Sequence, residues 1–332
     1  MVKIVLAGGA GNVGREILDE LITQTYGKHE IKVFSRKVFI MSESHVMSYD
    51  TTDVPELAAL GITVDIVNYH DISALIDALK GIDTVLSFIV TINDPDNVAQ
   101  KTLIDACVSA GVRRFAPSEW ATKSHCGIPA YEGKDQVYEY LKEINRERKV
   151  LEFTLFQCGL FLNYFSYPRA STEFMQIFPM PIDVDGCRAI VLRDTKAQIS
   201  LTSVQDLAKV VSKAVDYEGI WPEISGIRGN QISILEFISL CEKIRGKRFV
   251  IESVERADLE EGRFTSSWFP VINHPVIPDD QKSAFSQSYF ATFILAMERG
   301  GWDASNEWNE FLPEFRFTGA EEFLSKIWKN QL

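Results

Sequence analysis

Cysteine is sparse and unpaired in this chain. Five thiols, Cys107, Cys126, Cys158, Cys187 and Cys241, are scattered through 332 residues with no C-x-x-C spacing, and the five histidines stand at no ligand spacing. An odd, dispersed set argues against a disulfide framework and a zinc site and suits the reduced thiols of a cytosolic protein, so no metal is expected. His125 and Cys126 are neighbours, but adjacent side chains rarely face one another, and they are not read as a nucleophile pair. Positive charge is short as well: 34 Lys and Arg against 46 Asp and Glu leave a net charge of -12. That balance argues against a nucleic-acid partner, which needs a basic face. No stretch approaches the roughly 18 consecutive apolar residues of a membrane span. The apolar opening VKIVLAGGAG is too short and too glycine-rich for a signal segment. A cytoplasmic protein without a membrane partner is the expectation, and neither an internal repeat nor a low-complexity linker interrupts it.

What is present is an alternation of short apolar runs and amphipathic stretches. Val2–Ala7, Ile31–Ser35, Thr63–Val67, Thr84–Val90, Arg114–Pro117 and Phe153–Gln157 read as strands. Between them Val13, Ile17, Leu18 and Leu21 share one helical face, Ile72–Leu79 forms a helix closed by Gly81, and Val98–Ala110 is amphipathic. Strands alternating with helices imply right-handed crossovers and an α/β fold with a doubly wound, parallel Rossmann sheet, whose ligands sit at the carboxyl ends of the strands. Beyond residue 158 the rhythm loosens, with a strand at Ala189–Leu192, a helix at Val204–Val215, a strand at Ile224–Gly229 and a helix at Ser233–Arg245. Residues 1–158 are therefore expected to form the dinucleotide-binding domain. Residues 159–332 would form a smaller, interwoven α+β substrate lobe, with 204–245 partly returning to the first domain.

The run GGAGNVG, between the first strand and the first helix, can be read as G-x-G-x-x-G from Gly9 or as G-x-x-G-x-x-G from Gly8. In either register a glycine turn lets backbone N–H groups and a helix N-terminus close on a pyrophosphate, with Asn12 and Val13 completing the turn. An NAD-selective site places Asp or Glu about 20 residues after the glycines, on the ribose hydroxyls. This chain has Ser35, Arg36 and Lys37 there and no acid. A hydroxyl and a guanidinium beside a 2′-phosphate make charge-assisted bonds, so NADP(H) is the expected cofactor.

These residues resemble the atypical short-chain reductases of the isoflavone reductase-like and NmrA-like type, particularly their fungal members. The likeness rests on GGAGNVG, Ser35-Arg36, DISALIDALKGIDTVLSFI, RRFAPSEWA, Lys134 at the opening of a helix, SLTSVQDLAKVV and ISILEF, and covers roughly residues 1–240. It implies the register Gly8, Gly11, Gly14, with Gly9 a bystander, and an NADPH-dependent oxidoreductase in which the matching lysine assists proton transfer. Two departures stand out. Asn68 replaces an acid often found after the third strand. The Tyr-x-x-x-Lys pair of ordinary short-chain dehydrogenases is missing, because Tyr131 lies three residues before Lys134 rather than four.

Lys134 is the expected catalytic residue, with Tyr131 beside it. Near a helix start the macrodipole disfavours a cation, and packing against Tyr131 and Tyr138 would bring the lysine into a useful acid/base range. Ser87 and Phe88 should line the cofactor trough through their backbone. Pro117, Ser118 and Glu119 follow the fifth strand, where Ser118 and Glu119 either bond the carboxamide or ribose or cap a turn. Trp120, Tyr138, Phe161, Asn163 and Tyr164 are the candidate substrate wall, in which aromatic rings and one amide suit a flat, weakly polar molecule. The expected activity is hydride transfer to a small aromatic or conjugated substrate. The alternative is a regulator that binds the dinucleotide without turning it over, and a proton-donating lysine separates the two.

Overall fold

The computed structural model describes residues 1–24, 28–36, 54–91, 94–274 and 277–329. It forms two compact units, each built from three segments: Met1–Trp120, Gly133–Phe156 and Leu207–Ser225 in the first, and Ala121–Glu132, Gln157–Asp206 and Gly226–Leu332 in the second. Lys37 lies outside the described residues.

The first unit is the expected parallel sheet. Its strands are β1 (Lys3–Ala7), β2 (Glu30–Arg36), β3 (Thr63–Val67), β4 (Thr84–Ser87), β5 (Arg114–Ala116) and β6 (Glu152–Phe153), in the order β3-β2-β1-β4-β5-β6. Every neighbouring pair is parallel. Ile4, Val5, Leu6 and Ala7 are all fully buried, as a central strand covered on both faces requires, which is why the run is continuously apolar instead of alternating. The helices are α1 (Asn12–Gln24), α2 (Val54–Ala59), α3 (Ile72–Ala78), α4 (Val98–Ala110) and α5 (Glu132–Ile144), with most of α6 (Val204–Asp216). The side chain of Asp71 caps α3 through Ala74 N, and Gly111, at φ 75°, closes α4, each satisfying backbone groups that a helix end leaves open. Val5, Phe34, Val85, Leu103, Phe115 and Leu141 belong to one core.

Several strand expectations were too long, among them Ile224–Gly229, which ends at Gly226. β4 ends at Ser87 instead of Val90, after Phe88 N has made a last bond to Ala7 O. The segment read as one strand over Phe153–Gln157 is divided into β6 and β7 (Leu155–Gln157). Thr154 N still donates to Phe115 O, whereas Leu155 N donates to Glu223 O, so the chain leaves the sheet between them.

The second unit is mixed. A three-stranded sheet joins β8 (Leu160–Phe161), β11 (Gln198–Thr202) and β13 (Asn230–Ser233), and another joins β9 (Ile182–Asp183), β10 (Arg188–Leu192) and β14 (Val250–Val254). The short β12 (Ile224–Gly226) precedes β13. Helices α7 (Ile234–Arg245), α8 (Arg256–Glu260), α9 (Lys282–Glu298), α10 (Glu307–Phe311) and α11 (Ala320–Trp328) complete it. Ser233 and Glu236 form a reciprocal capping box at the start of α7. Phe165, Phe237, Phe290, Phe293, Trp302 and Trp328 lie in a second core belonging to this unit.

Candidate functional site

The sheet order reverses between β1 and β4, and the carboxyl ends of those strands are where a doubly wound sheet receives its ligand. The glycine turn lies there. Gly8, at φ 75°, donates its N–H to Phe34 O over 2.8 Å. The glycines are required for different reasons. A Cβ on Gly14 would stand 2.8 Å from Gly9 Cα and 2.9 Å from the Phe88 ring, and one on Gly9 would stand 2.4 Å from Leu6 Cβ. Gly9 is therefore no bystander: the strand-to-helix turn closes on it from two sides. A Cβ on Gly11 would meet no protein atom within 4 Å. The packing of the chain gives no reason for glycine at 11, whereas a pyrophosphate lying on the backbone does. The first turn of α1 also carries no acid, which keeps its positive end open to an anion. Gly11→Ala is expected to leave the melting temperature unchanged and to raise the Kd for NADPH about tenfold, since a methyl group displaces the phosphate by a fraction of its contact distance. Gly14→Ala is expected to lower the melting temperature itself, and calorimetry with cofactor titration separates the two effects.

On the edge beside β1, register places Arg36 two residues beyond Phe34, the partner of Ala7, and opposite Val67. Arg36 is exposed and Ser35 is buried. Asn68 is exposed after β3, and its side-chain oxygen accepts from His70 N over 3.1 Å in a local turn. Asn12 opens α1 with φ 52°, and Val13 is half-buried.

On the other edge Ser87 is fully buried, and its carbonyl accepts the indole N–H of Trp120 over 2.8 Å. Trp120 stacks between Phe88 and Phe156, with centroid separations of 4.7 and 5.3 Å. The ring expected on a substrate wall thus packs on two aromatic neighbours, and its N–H ties the end of β4 to the residues after β5. Tyr138 is likewise engaged, its hydroxyl donating to Glu223 over 2.5 Å and its ring set edge-on to Phe153.

Pro117, Ser118 and Glu119 follow β5. Gln100, buried on α4, accepts from Ser118 N over 2.8 Å and fixes this loop. Sequence reading passed over Gln100, although an amide on the apolar face of an amphipathic helix signals a polar partner inside. Lys134, in the first turn of α5, donates from Nζ to the main-chain oxygen of Glu119 over 2.6 Å. The Glu119 side chain is buried, and burial pushes its carboxyl up to about 7, against the lowering pull of Lys134 and with a further rise from Asp135. Pro117, Ser118, Glu119 and Lys134 thus form a loop, a buried acid and a half-buried lysine at the end of β5.

The remaining candidates fall in the second unit. Asn163 is fully buried; its Oδ1 accepts from Val204 N over 2.8 Å at the start of α6, and its Nδ2 donates to Ser171 and Gln205. Its amide, expected to face substrate, is engaged at the start of that helix. Phe161 is buried edge-on to half-buried Tyr164 at 6.1 Å, and Tyr164 tilts against Phe178 at 4.6 Å. Tyr131 ends the short turn before α5, and its hydroxyl stands 3.1 Å from that of Tyr289. Burial, first of all, holds both phenols above their ordinary range, so both stay protonated near neutrality. Tyr289 lies in α9, and nothing in its sequence neighbourhood marked it.

The five cysteines are free and buried, and burial raises the thiols of Cys107 and Cys241. Among the described residues no group of three or more His, Cys, Asp or Glu is placed to hold a metal ion, and no helix is long and apolar enough to cross a membrane.

Known proteins are similar to this chain over nearly its full length. An oxidoreductase of Metarhizium robertsii, swnN, is 25% identical over 99% of this chain and 98% of its own. An isoflavone reductase homolog of Arabidopsis thaliana is 25% identical over 97% of both chains. Among solved structures, an NADPH-dependent quinone oxidoreductase of Escherichia coli, crystallised with NADPH, superposes with a TM-score of 0.69 at 17% identity, over 98% of this chain and 99% of that one. Residues 2–324 match the NmrA-like family, and the chain belongs to it.

Proposed function

We propose that the protein is an NADPH-dependent reductase of small aromatic or conjugated substrates, in which Lys134 donates a proton. The observation that carries this reading is the lysine held at the carboxyl end of β5 against Glu119, on the same edge of the sheet as the glycine turn. A protein that only sensed the dinucleotide would need no proton donor there. The named activities of the relatives, an oxidoreductase and an isoflavone reductase homolog, support the same reaction class.

The residues present fit NADP(H): an open Cβ position at Gly11, a helix start free of acids, and Arg36 with no carboxylate in the position that selects NAD. The backbone of Gly8–Gly14 would hold the pyrophosphate, Ser35 and Arg36 the 2′-phosphate, and the backbone of Ser87–Phe88 and Pro117–Ser118 the nicotinamide half. When bound, the reduced nicotinamide supplies a hydride. The chain supplies the rest: the Lys134 ammonium gives a proton to the substrate atom that gains negative charge.

The test is the absorbance of reduced nicotinamide in the presence of quinones, enones and phenylpropanoids. Consumption of NADPH with at least one class supports the reading. Tight NADPH binding without consumption by any of them replaces it with the regulator. Cofactor choice is tested separately: Arg36→Ala is expected to raise the Kd for NADPH about tenfold and to leave that for NADH within twofold, as removal of one charge-assisted contact predicts. Equal weakening of both would refute the assignment of Arg36 to the 2′-phosphate.

A further inference from the structure

We propose that Asn97 is a positioning residue for Lys134, acting through the first turn of α5; this rests on the reductase reading above. Asn97 is 2% exposed and stands at the N-cap of α4, where an asparagine side chain ordinarily accepts from the N–H groups of the first turn. Here it makes no such bond. Asp94 takes that task, accepting from Ala99 N over 2.8 Å and from Gln100 N over 3.0 Å. The amide of Asn97 turns to α5 instead, and its Nδ2 donates to Gln136 Oε1 over 2.9 Å. The backbone bends to put it there: Asp96 and Asn97 lie at φ 58° and 56°, a left-handed conformation that residues other than glycine hold only where their surroundings compel it.

Gly133, the residue before Lys134, meets the same side chain. A Cβ on Gly133 would stand 2.9 Å from Asn97 Oδ1 and 3.1 Å from Thr91 Cβ. Glycine is a poorer helix former than alanine, so the start of α5 gives no reason for it, whereas the close approach of Asn97 does. Asn97 thus touches α5 on both sides of the lysine, at Gly133 and at Gln136. Gln100, three residues further on, accepts from Ser118 N over 2.8 Å, and the next residue, Glu119, offers the main-chain oxygen that takes the Lys134 ammonium over 2.6 Å. The lysine and its acceptor are therefore both referred to the start of α4, the lysine by Asn97 and the acceptor by Gln100. Loss of the Asn97 contact lets the ammonium shift relative to the loop after β5, and a misplacement of about 1 Å is enough to slow a positioned reaction about a hundredfold.

Two variants test the contact from opposite sides. Asn97→Gly keeps a residue suited to the left-handed backbone and removes the amide, and Gly133→Ala crowds the same place from α5 with Asn97 still present. Each is expected to slow single-turnover hydride transfer about tenfold, with the Kd for NADPH within about twofold of wild type. A merely structural residue would do its damage whether or not the ammonium is present. The deciding readout is therefore a double-mutant cycle with Lys134→Met, in whose background Asn97→Gly should slow the reaction no further. A second readout needs no cofactor: with nitrogen-15 in the lysine side chains, the ammonium resonance that is lost in Lys134→Met should exchange with water faster in Asn97→Gly. If Asn97→Gly is poorly folded, Gly133→Ala decides, because alanine favours the helix. Wild-type rates in both variants, a full further loss in the Lys134→Met background, or unchanged ammonium exchange overturns the positioning role while leaving the reductase reading intact. A wild-type protein that consumes NADPH with no quinone, enone or phenylpropanoid overturns that reading and the positioning role with it.

Discussion

Replacement of Lys134 by methionine is expected to lower kcat by two to four orders of magnitude, roughly the contribution of a positioned general acid. Methionine keeps much of the length and the apolar stem of lysine and removes only the ammonium. From the first turn of α5 Nζ donates to the Glu119 carbonyl, so its loss removes the ammonium held beside the end of β5. Lys134→Arg should recover little, because a guanidinium keeps its charge and its proton through any accessible pH. NADPH should still bind, with a Kd raised by at most about tenfold, because the glycine turn and Arg36 carry most of the phosphate recognition. Stopped-flow measurement of a single hydride transfer, beside fluorescence titration of NADPH, separates the chemistry from binding. Unchanged single-turnover rates would remove Lys134 from the reaction.

The second large effect concerns stability. Arg114 is 3% exposed at the start of β5. Its Nε donates to Glu152 Oε1 over 2.8 Å, its two terminal nitrogens donate to the carbonyls of Tyr217 and Gly219, and its guanidinium lies 4.8 Å from the centre of the Trp221 ring. Glu152 is in turn bound by Trp221 N over 2.8 Å. One side chain therefore ties two strands of the sheet to the returning segment Leu207–Ser225. Arg114→Met should destabilise the protein by about 3 kcal/mol, because it leaves a half-buried carboxylate without its cation and two carbonyls without their donor. Glu152→Gln in the same background should recover part of that loss by removing the orphaned charge. Urea unfolding followed by circular dichroism reads both variants. A loss under about 1 kcal/mol would mean that water replaces the guanidinium.

Much of the first unit was legible because parallel sheets write themselves into sequence. Buried central strands are unbroken β-branched runs, their helices repeat on one face, and the turn between β1 and α1 must be glycine-rich. The limits of Thr63–Val67 and Val98–Ala110 follow from these local rules alone. Strand ends did not, as β4 and the break at Thr154 show, because each is set by which distant carbonyl the next N–H finds. The aromatic candidates were the least legible. Composition cannot tell a ring that faces a ligand from one that stacks on its neighbours, and Trp120 stacks on Phe88 and Phe156.

The GGAGNVG run illustrates the division. Local chemistry is enough to say that a strand passes through glycines into a helix and that an anion fits there, since backbone donors and a helix start are properties of the segment itself. That Ser35 and Arg36 follow the second strand without an acid is also written in the chain. Only the tertiary structure could say that Gly9 and Gly14 close on Leu6 and Phe88 while Gly11 faces open space. Only it could bury Glu119 beside Lys134, 15 positions away in sequence. Backbone conformation is set by neighbours along the chain, but steric contact and desolvation are set by neighbours in space, and a carboxyl that keeps its proton near neutrality is a consequence of the second kind.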